Sequence, residues 1–356
     1  MTPPSDGRHR DASAYLAAHE FPPGLVEAIL RTKTAFAHRY WVVDNSGSMA
    51  LLDGKRVEDE RPRGGKPRMV SCSRYEEVRE IVHFHAHLAA LLGCPTTFAF
   101  LNHPHKDHSG AQDFAVASKA DLPALLDAAA AHPYDGDPIC ARVRSVAEAI
   151  GAREAELRAS GQRVAVVIVT DGLPSDGNLA KELEHFGKLP ATVVVRLCCD
   201  DRAVVRFWNH LDHTLETVHL NVLDDLHAEA HEVAEHNPFI TYGAPLHRLR
   251  EWGVHEKVVD VIDERPLAAD EICTLCSVLF GQAAAKGLPA ANVSADAFVD
   301  AVVALQRASP APHDMLHAGT RAWIDGESLR KYLHGRYTLG EDGKLRDADA
   351  KACVVQ

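Results

Sequence analysis

The sequence predicts an α/β protein with a doubly wound, mostly parallel, Rossmann-like sheet and a helical C-terminal region. Short apolar runs that suit buried strands, such as Tyr40-Trp41-Val42-Val43, alternate with amphipathic helical segments over the first two thirds of the chain. That alternation is typical of a parallel sheet covered by helices on both faces. Strand signals then stop near residue 225, and only helical patterns follow.

The length of 356 residues allows two domains, or one large domain with an appendage. The composition changes divide the chain into three predicted segments. Residues 1–33 form an N-terminal extension with one short helix, residues 34–225 form the α/β domain, and residues 226–356 form the helical C-terminal region.

The individual elements follow from hydrophobic periodicity, bounded by caps and breakers. Ser73 and Glu76 form a capping box that begins a helix, and Pro238 and Pro266 separate helices in the last third. The predicted strands are 36–44, 95–101, 114–117, 164–170, 192–197 and 218–222, and the predicted helices are 23–31, 73–92, 121–131, 139–160, 178–186, 200–211, 226–236, 245–252, 268–280, 295–307 and 324–333.

Composition narrows the class of protein. The chain is 46% hydrophobic and 25% charged, with a formal net charge of −12. A negative chain is a poor general binder of nucleic acid, whose affinity comes mostly from neutralising phosphates. We find no secretory signal pattern and no apolar run long enough for a transmembrane segment. The eight cysteines form no disulfide framework, so we expect reduced thiols and a cytoplasmic protein.

The most informative stretch follows the first predicted strand. Asp44, Ser46 and Ser48 alternate in a tight polar turn, and Gly47 lets the backbone bend so that their side chains converge. A carboxylate and two hydroxyls are hard oxygen donors, which suit Mg²⁺, Mn²⁺ or Ca²⁺ better than zinc. In open α/β sheets, ligands bind outside the carboxyl ends of the strands, where this turn is predicted to lie.

Two further acidic turns follow in the chain. Asp171 comes directly after the apolar run 164–170, and Asp135-Gly136-Asp137 precedes a predicted helix. The order of the three turns closely resembles the metal-ion-dependent adhesion site of von Willebrand factor type A domains, the integrin I-domain family. That family has a D-x-S-x-S turn, then a threonine, then an aspartate after an apolar strand. Asp44, Ser46, Ser48 and Asp171 match the pattern, whereas Asp137 stands where the family usually has threonine.

The resemblance implies a cation-dependent protein-binding module rather than an enzyme. In the family the two serines coordinate the metal directly, the acids bind directly or through water, and one position accepts a carboxylate from a protein partner. A third carboxylate at Asp137 should tighten metal binding and weaken ligation by the partner's acidic side chain. Alternatively, Asp137 turns away and caps the helix that follows it.

Two other functions stay open at this point. A metal-dependent hydrolase or phosphatase-like enzyme is one, but a haloacid-dehalogenase-like site needs a second acid where Ser46 stands, so the nucleophile–acid pair is missing. The other is a structural scaffold with a silent metal. The resemblance covers a little over half of the chain and does not identify the partner.

Two remaining segments carry hypotheses of their own. Residues 53–69 form an insertion with six cations that leaves from the predicted metal turn; it is either a solvated flexible loop or a basic flap for an acidic partner. The last four residues, from Cys353, fit a prenylation motif. Lipidation at Cys353 would give at most weak, reversible membrane association.

Overall fold

The computed structural model describes residues 7–58, 68–317, 319–335, 337–340 and 345–347. It confirms the predicted α/β fold: a six-stranded, mostly parallel sheet with interleaved helices precedes a helical C-terminal region. The strands are β1 Phe36–Val43, β2 Gly54–Glu58, β3 Arg68–Cys72, β4 Thr96–Phe100, β5 Asp113–Val116, β6 Arg163–Thr170, β7 Ala191–Leu197, β8 Leu220–Leu223, β9 Tyr337–Leu339 and β10 Leu345–Asp347.

The helices cover both faces of the sheet in the first two thirds of the chain and account for most of the last third. Their bounds are α1 Gly7–Ala18, α2 Pro23–Ala35, α3 Arg74–Leu92, α4 Leu122–Ala129, α5 Ile139–Gly151, α6 Glu154–Ser160, α7 Leu179–Leu183, α8 Arg202–Thr214, α9 Leu226–His236, α10 Ala244–Glu251, α11 Lys257–Asp260, α12 Ala269–Phe280, α13 Gln282–Ala285, α14 Ala295–Gln306 and α15 Gly326–Leu333.

The strand order of the main sheet is β5-β4-β1-β6-β7-β8, and only β5 runs antiparallel to its neighbour. From β1 the chain first adds strands on one side, then crosses over and adds β6, β7 and β8 on the other. The direction of winding therefore reverses between β1 and β6. In doubly wound sheets this switch point leaves a crevice at the carboxyl ends of the strands, where ligands bind.

Alternate residues of the central strands face two separate hydrophobic cores. Trp41, Val43 and Val167 belong to one core, whereas Val42 and Val166 belong to the other. All five of these side chains are almost completely buried. The near-continuous apolar sequence of β1 and β6 follows from this two-sided burial, as expected for central parallel strands.

The C-terminal helices pack back on the sheet and share a core with α1, α2 and α3. Trp252 is one contact between the C-terminal helical region and the N-terminal part of the chain. Its indole Nε1 donates to the Thr32 hydroxyl at 3.0 Å, and the Arg39 guanidinium lies 3.9 Å from its ring centroid. The C-terminal helical region therefore packs on the sheet and does not form a separate bundle.

Several local predictions were wrong. The N-terminal extension, predicted to contain one short helix, contains α1 and α2; in α1 only Ala12 and Leu16 are buried. The helix predicted over 139–160 is interrupted between α5 and α6. The insertion 53–69 forms strands β2 and β3 of a hairpin at its two ends, and residues 59–67 lie outside the described residues. Strands β9 and β10 pair in a region where no strand was expected.

Within the part of the chain that the structure describes, no helix combines the length and apolarity needed to cross a bilayer. Cys353, the predicted lipidation site, lies outside the described residues.

Candidate metal centre

Asp44 lies at the carboxyl end of β1, at the switch point of the sheet. Its carboxylate accepts two hydrogen bonds, from the Ser46 backbone amide at 2.9 Å and from the Thr170 hydroxyl at 2.7 Å. Only 1% of the residue is exposed. Because Thr170 is the last residue of β6, this second bond ties the ends of the two central strands together.

The turn after Asp44 brings both predicted serines to the same place. The hydroxyl oxygens of Ser46 and Ser48 lie 3.0 Å apart. The Ser48 hydroxyl also donates to Oδ1 of Asp171 at 2.8 Å. Asp171 directly follows β6, so the first and third acidic turns are in contact, as adjacent parallel strands require.

Asp137 completes a triad of carboxylates. One oxygen each from Asp44, Asp137 and Asp171 lies within 4.8 Å of the other two. Oδ1 of Asp137 is buried and has no hydrogen-bond partner among the described residues. A buried acceptor without a partner is costly, and coordination of a cation would satisfy this oxygen.

The alternative role of Asp137 as a helix cap is not what the structure shows. The second and third amides of α5, from Cys140 and Ala141, donate instead to the carboxylate of Asp176 at 3.0 and 2.8 Å. The Asp137 carboxylate makes no cap hydrogen bond and lies with the other two acids. Ser175 positions the Asp137 backbone by hydrogen bonds in both directions, each 3.1 Å long.

Two asparagines hold the loops of the site together, and the sequence reasoning missed both. The Asn45 side chain donates to the Asn102 carbonyl at 3.0 Å and accepts from the Asn102 amide at 2.8 Å. The Asn102 side chain then donates to the Gly136 carbonyl at 3.0 Å. Their position two residues after the ends of β1 and β4 was the only available signal, and it is shared by many turn residues.

The electrostatics of the triad are unbalanced. Burial, followed by the nearby charges of Asp137 and Asp171, raises the pKa of Asp44 to about 7. Burial also raises the pKa of Asp137, and the Ser46 hydroxyl offsets part of that effect. Burial and mutual repulsion make it costly for these carboxylates to be ionised at the same time. A bound cation would reduce the repulsion and would replace the water lost on burial, so the triad favours a cation. The three acids could therefore hold a metal ion.

Arg74, also missed from the sequence, is the charged partner nearest to the triad. Its Nη1 donates to Oδ2 of Asp171 at 2.8 Å, while its Nε and Nη2 donate to both oxygens of Asp53 at 2.7 and 2.6 Å. The capping box at Ser73 placed Arg74 in the first turn of α3. Periodicity gives no information on which distant acid such a residue meets.

Exposed apolar side chains flank the acidic loops. Leu51 and Leu52 follow the serine turn and are 51% and 78% exposed, and Leu173 follows Asp171 and is 44% exposed. Among the described residues, the other large apolar side chain that is strongly exposed is Val293. Exposed apolar groups gathered on one face are typical of an interaction surface.

A second buried cluster of charges lies behind α3. The Arg196 guanidinium pairs with Glu77, and its Nε donates to Glu251 at 3.1 Å. His85 lies 2.8 Å from the other oxygen of Glu251. We call Glu77, His85, Arg196 and Glu251 the Arg196 network. It joins α3, β7 and α10, and its four residues are all buried.

The sequence matches no known protein-family model, and no curated protein matches it either. The evidence for the α/β fold and for the buried acidic triad therefore comes from the sequence and structure of this chain alone.

Proposed function

We propose that this protein is a divalent-cation-dependent protein-binding module of the von Willebrand factor A type, with a metal-ion-dependent adhesion site. The strand order supports the type A proposal, because counting the main-sheet strands in chain order gives 3-2-1-4-5-6, the doubly wound arrangement. The acids lie at the switch point of that sheet, where such a site belongs.

The residues that would hold the metal are Asp44, Ser46, Ser48, Asp137 and Asp171. All offer hard oxygen atoms, which favour Mg²⁺, with Mn²⁺ and Ca²⁺ as alternatives. The cation would supply the positive charge that the triad lacks and an open position for an acidic side chain of a partner.

The observation that carries the binding function is the apolar surface beside the triad. Leu51, Leu52 and Leu173 are exposed on the loops that bear the acids. A partner segment with one carboxylate and adjacent apolar side chains would satisfy both features at once. In protein–protein interfaces a few central contacts contribute most of the binding free energy. Here we expect these contacts to be the metal and the leucines.

Catalysis is the less supported role. Among the described residues, a backbone amide, hydroxyls and Arg74 donate hydrogen bonds to the triad's carboxylates. A hydrolytic site would need a histidine, lysine or carboxylate outside the set of metal ligands, placed to accept a proton from water. A structural scaffold with a silent metal is separated from our proposal by its partner binding, which would not depend on the cation.

The first experiment is calorimetric titration of Mg²⁺, Mn²⁺ and Ca²⁺ into metal-stripped protein, beside Asp44→Ala. We expect saturable one-to-one binding to the wild type and none to the variant. Absence of binding to the wild type would refute the metal site.

The second experiment measures binding of acidic peptides with apolar flanks, with and without a chelator. We expect chelator and Leu52→Ser each to weaken binding, by at least about tenfold for the chelator. Val293→Ser is the matched control, since Val293 is equally exposed but not on the acidic loops. Equal peptide binding with chelator would favour the silent scaffold.

A further inference from the structure

We propose that Arg74 is the resident counter-ion of the metal centre, and that through Asp53 it couples metal affinity to the β2–β3 hairpin. This inference rests on the proposed metal binding, and it concerns which residues set the strength and charge preference of that site.

The guanidinium of Arg74 joins two acids of different character. Its side chain is 10% exposed, and it bonds Asp171, whose side chain is fully buried. On its other edge it forms a two-pronged pair with Asp53, whose side chain is 52% exposed. The rigid fork of arginine suits this arrangement, and lysine could not reproduce it.

The positive charge of Arg74 affects the electrostatics of the triad as well as holding the loops together. With all three acids ionised, the triad carries three negative charges, and the Arg74 guanidinium, which Asp171 shares with Asp53, offsets part of them. A divalent cation would offset two more. Asp137 adds one negative charge relative to the threonine pattern, and Arg74 contributes positive charge that compensates part of it.

The hairpin is anchored at the same residue. Asp53 immediately precedes β2, and the backbone amide of Arg74 donates to the Leu51 carbonyl at 3.0 Å. At Gly54 a Cβ atom would lie 2.9 Å from the backbone of Ser73 and Arg74, so the base of the hairpin is pressed against the start of α3. Ser48, Asp171, Arg74 and Asp53 therefore form one continuous chain of hydrogen bonds from the metal turn to the hairpin.

This chain predicts effects of opposite sign for its two ends. Removing the charge of Arg74 removes a repulsion felt by any cation at the triad, so metal affinity should rise. Removing the negative charge of Asp53 leaves more of the positive charge of Arg74 to repel a cation at the triad, so metal affinity should fall. By linkage, a ligand that pulls the hairpin and Asp53 away from Arg74 would weaken metal binding in the same way.

The test measures dissociation constants of Ca²⁺ and Tb³⁺ for the wild type, Arg74→Gln, Arg74→Lys and Asp53→Asn. The Coulomb energy scales with the charge of the ion, so we expect Arg74→Gln to gain about tenfold for Ca²⁺ and about thirtyfold for Tb³⁺. Arg74→Lys keeps the charge and should stay within about threefold of the wild type, and Asp53→Asn should bind Ca²⁺ more weakly by about threefold.

Metal binding by the wild type with unchanged affinities in Arg74→Gln would overturn the inference and leave the proposed function intact. No binding of either ion by any of the four proteins would overturn both. Circular dichroism checks that each variant is folded. If Arg74→Gln does not fold, Asp53→Asn decides, because its carboxylate is half exposed: an unchanged or tighter Ca²⁺ affinity there contradicts the coupling.

Discussion

The acidic triad and the Arg196 network are both buried clusters of charge, but they are balanced differently. In the network, burial alone would raise the pKa of Glu251, yet the hydrogen bond from His85 and the nearby positive groups outweigh it and hold that pKa below its usual value. Burial does raise the pKa of Glu77, and its pair with Arg196 offsets part of that effect. In the triad, burial and neighbouring acids act in the same direction, and the pKa of Asp44 rises to about 7.

This difference separates structural charge from charge that awaits a ligand. Every carboxylate of the network has a cationic or imidazole partner inside the protein. Among the residues that the structure describes, the triad has one ion-paired cation, Arg74, for its three acids. Perturbed carboxylates without enough internal partners are a physical indication of a binding site, whereas completed pairs are usually part of the fold.

The largest effect should come from breaking the balanced cluster. We expect Glu251→Gln to lower the free energy of unfolding by about 3–5 kcal/mol, because it leaves the buried Arg196 and His85 without their common partner. Urea denaturation would measure this. The matched control is Glu154→Gln, which breaks the exposed pair with Arg158 and should cost at most about 1 kcal/mol. Equal costs would contradict a structural role for the network.

The unbalanced cluster should show itself through pH in metal-free protein. Because the folded state raises the pKa of Asp44, it binds more protons than the unfolded state between about pH 4 and pH 7. Stability should therefore decrease as pH rises through that window, by up to about 4 kcal/mol. Urea denaturation at several pH values measures the slope. Asp44→Asn should flatten the slope, and saturating Mg²⁺ should do the same in the wild type. If the wild-type slope persists in Asp44→Asn, the pH dependence of stability comes from groups other than Asp44.

The fold was largely predictable from the sequence, because its signals are local. Two-sided burial makes β1 and β6 continuous apolar runs, and the capping box at Ser73 begins α3 in the structure, with both of its reciprocal hydrogen bonds. Helix α1 was missed because its buried stripe is only two residues wide. Hairpin β2–β3 was missed because its charged composition resembles that of a loop.

The candidate site was predictable only in part, for a physical reason. Acids at the ends of adjacent parallel strands must meet, so the proximity of Asp44 and Asp171 follows from strand order. Arg74 and Asn102 reach the site through tertiary contacts that no periodicity encodes. The choice between metal ligand and helix cap for Asp137 could not be made in advance, because Asp176, more than thirty residues away, takes the capping role.

A smaller effect is expected from restoring the family residue in the triad. Asp137→Thr removes one negative charge from the centre, so we expect metal affinity to fall by about tenfold, while a carboxylate-bearing peptide gains affinity for the metal-loaded protein. Calorimetry with Mg²⁺, followed by peptide titration at saturating Mg²⁺, measures both. Unchanged metal affinity would mean that Asp137 does not contribute to the site.

The smallest effect should come from Asp176, which sits near Asp137 but is already satisfied. Its carboxylate accepts hydrogen bonds from the second and third amides of α5, so Asp176→Ala should lower the free energy of unfolding by about 1 kcal/mol, as for the loss of other helix caps. Because its charge is compensated by those amides, metal affinity should change by no more than about threefold. Thermal unfolding and calorimetry on the same variant separate the two effects. A loss of metal binding as large as that in Asp137→Thr would show that the two acids act as one unit, and that a completed hydrogen-bond set does not exclude an acid from this metal centre.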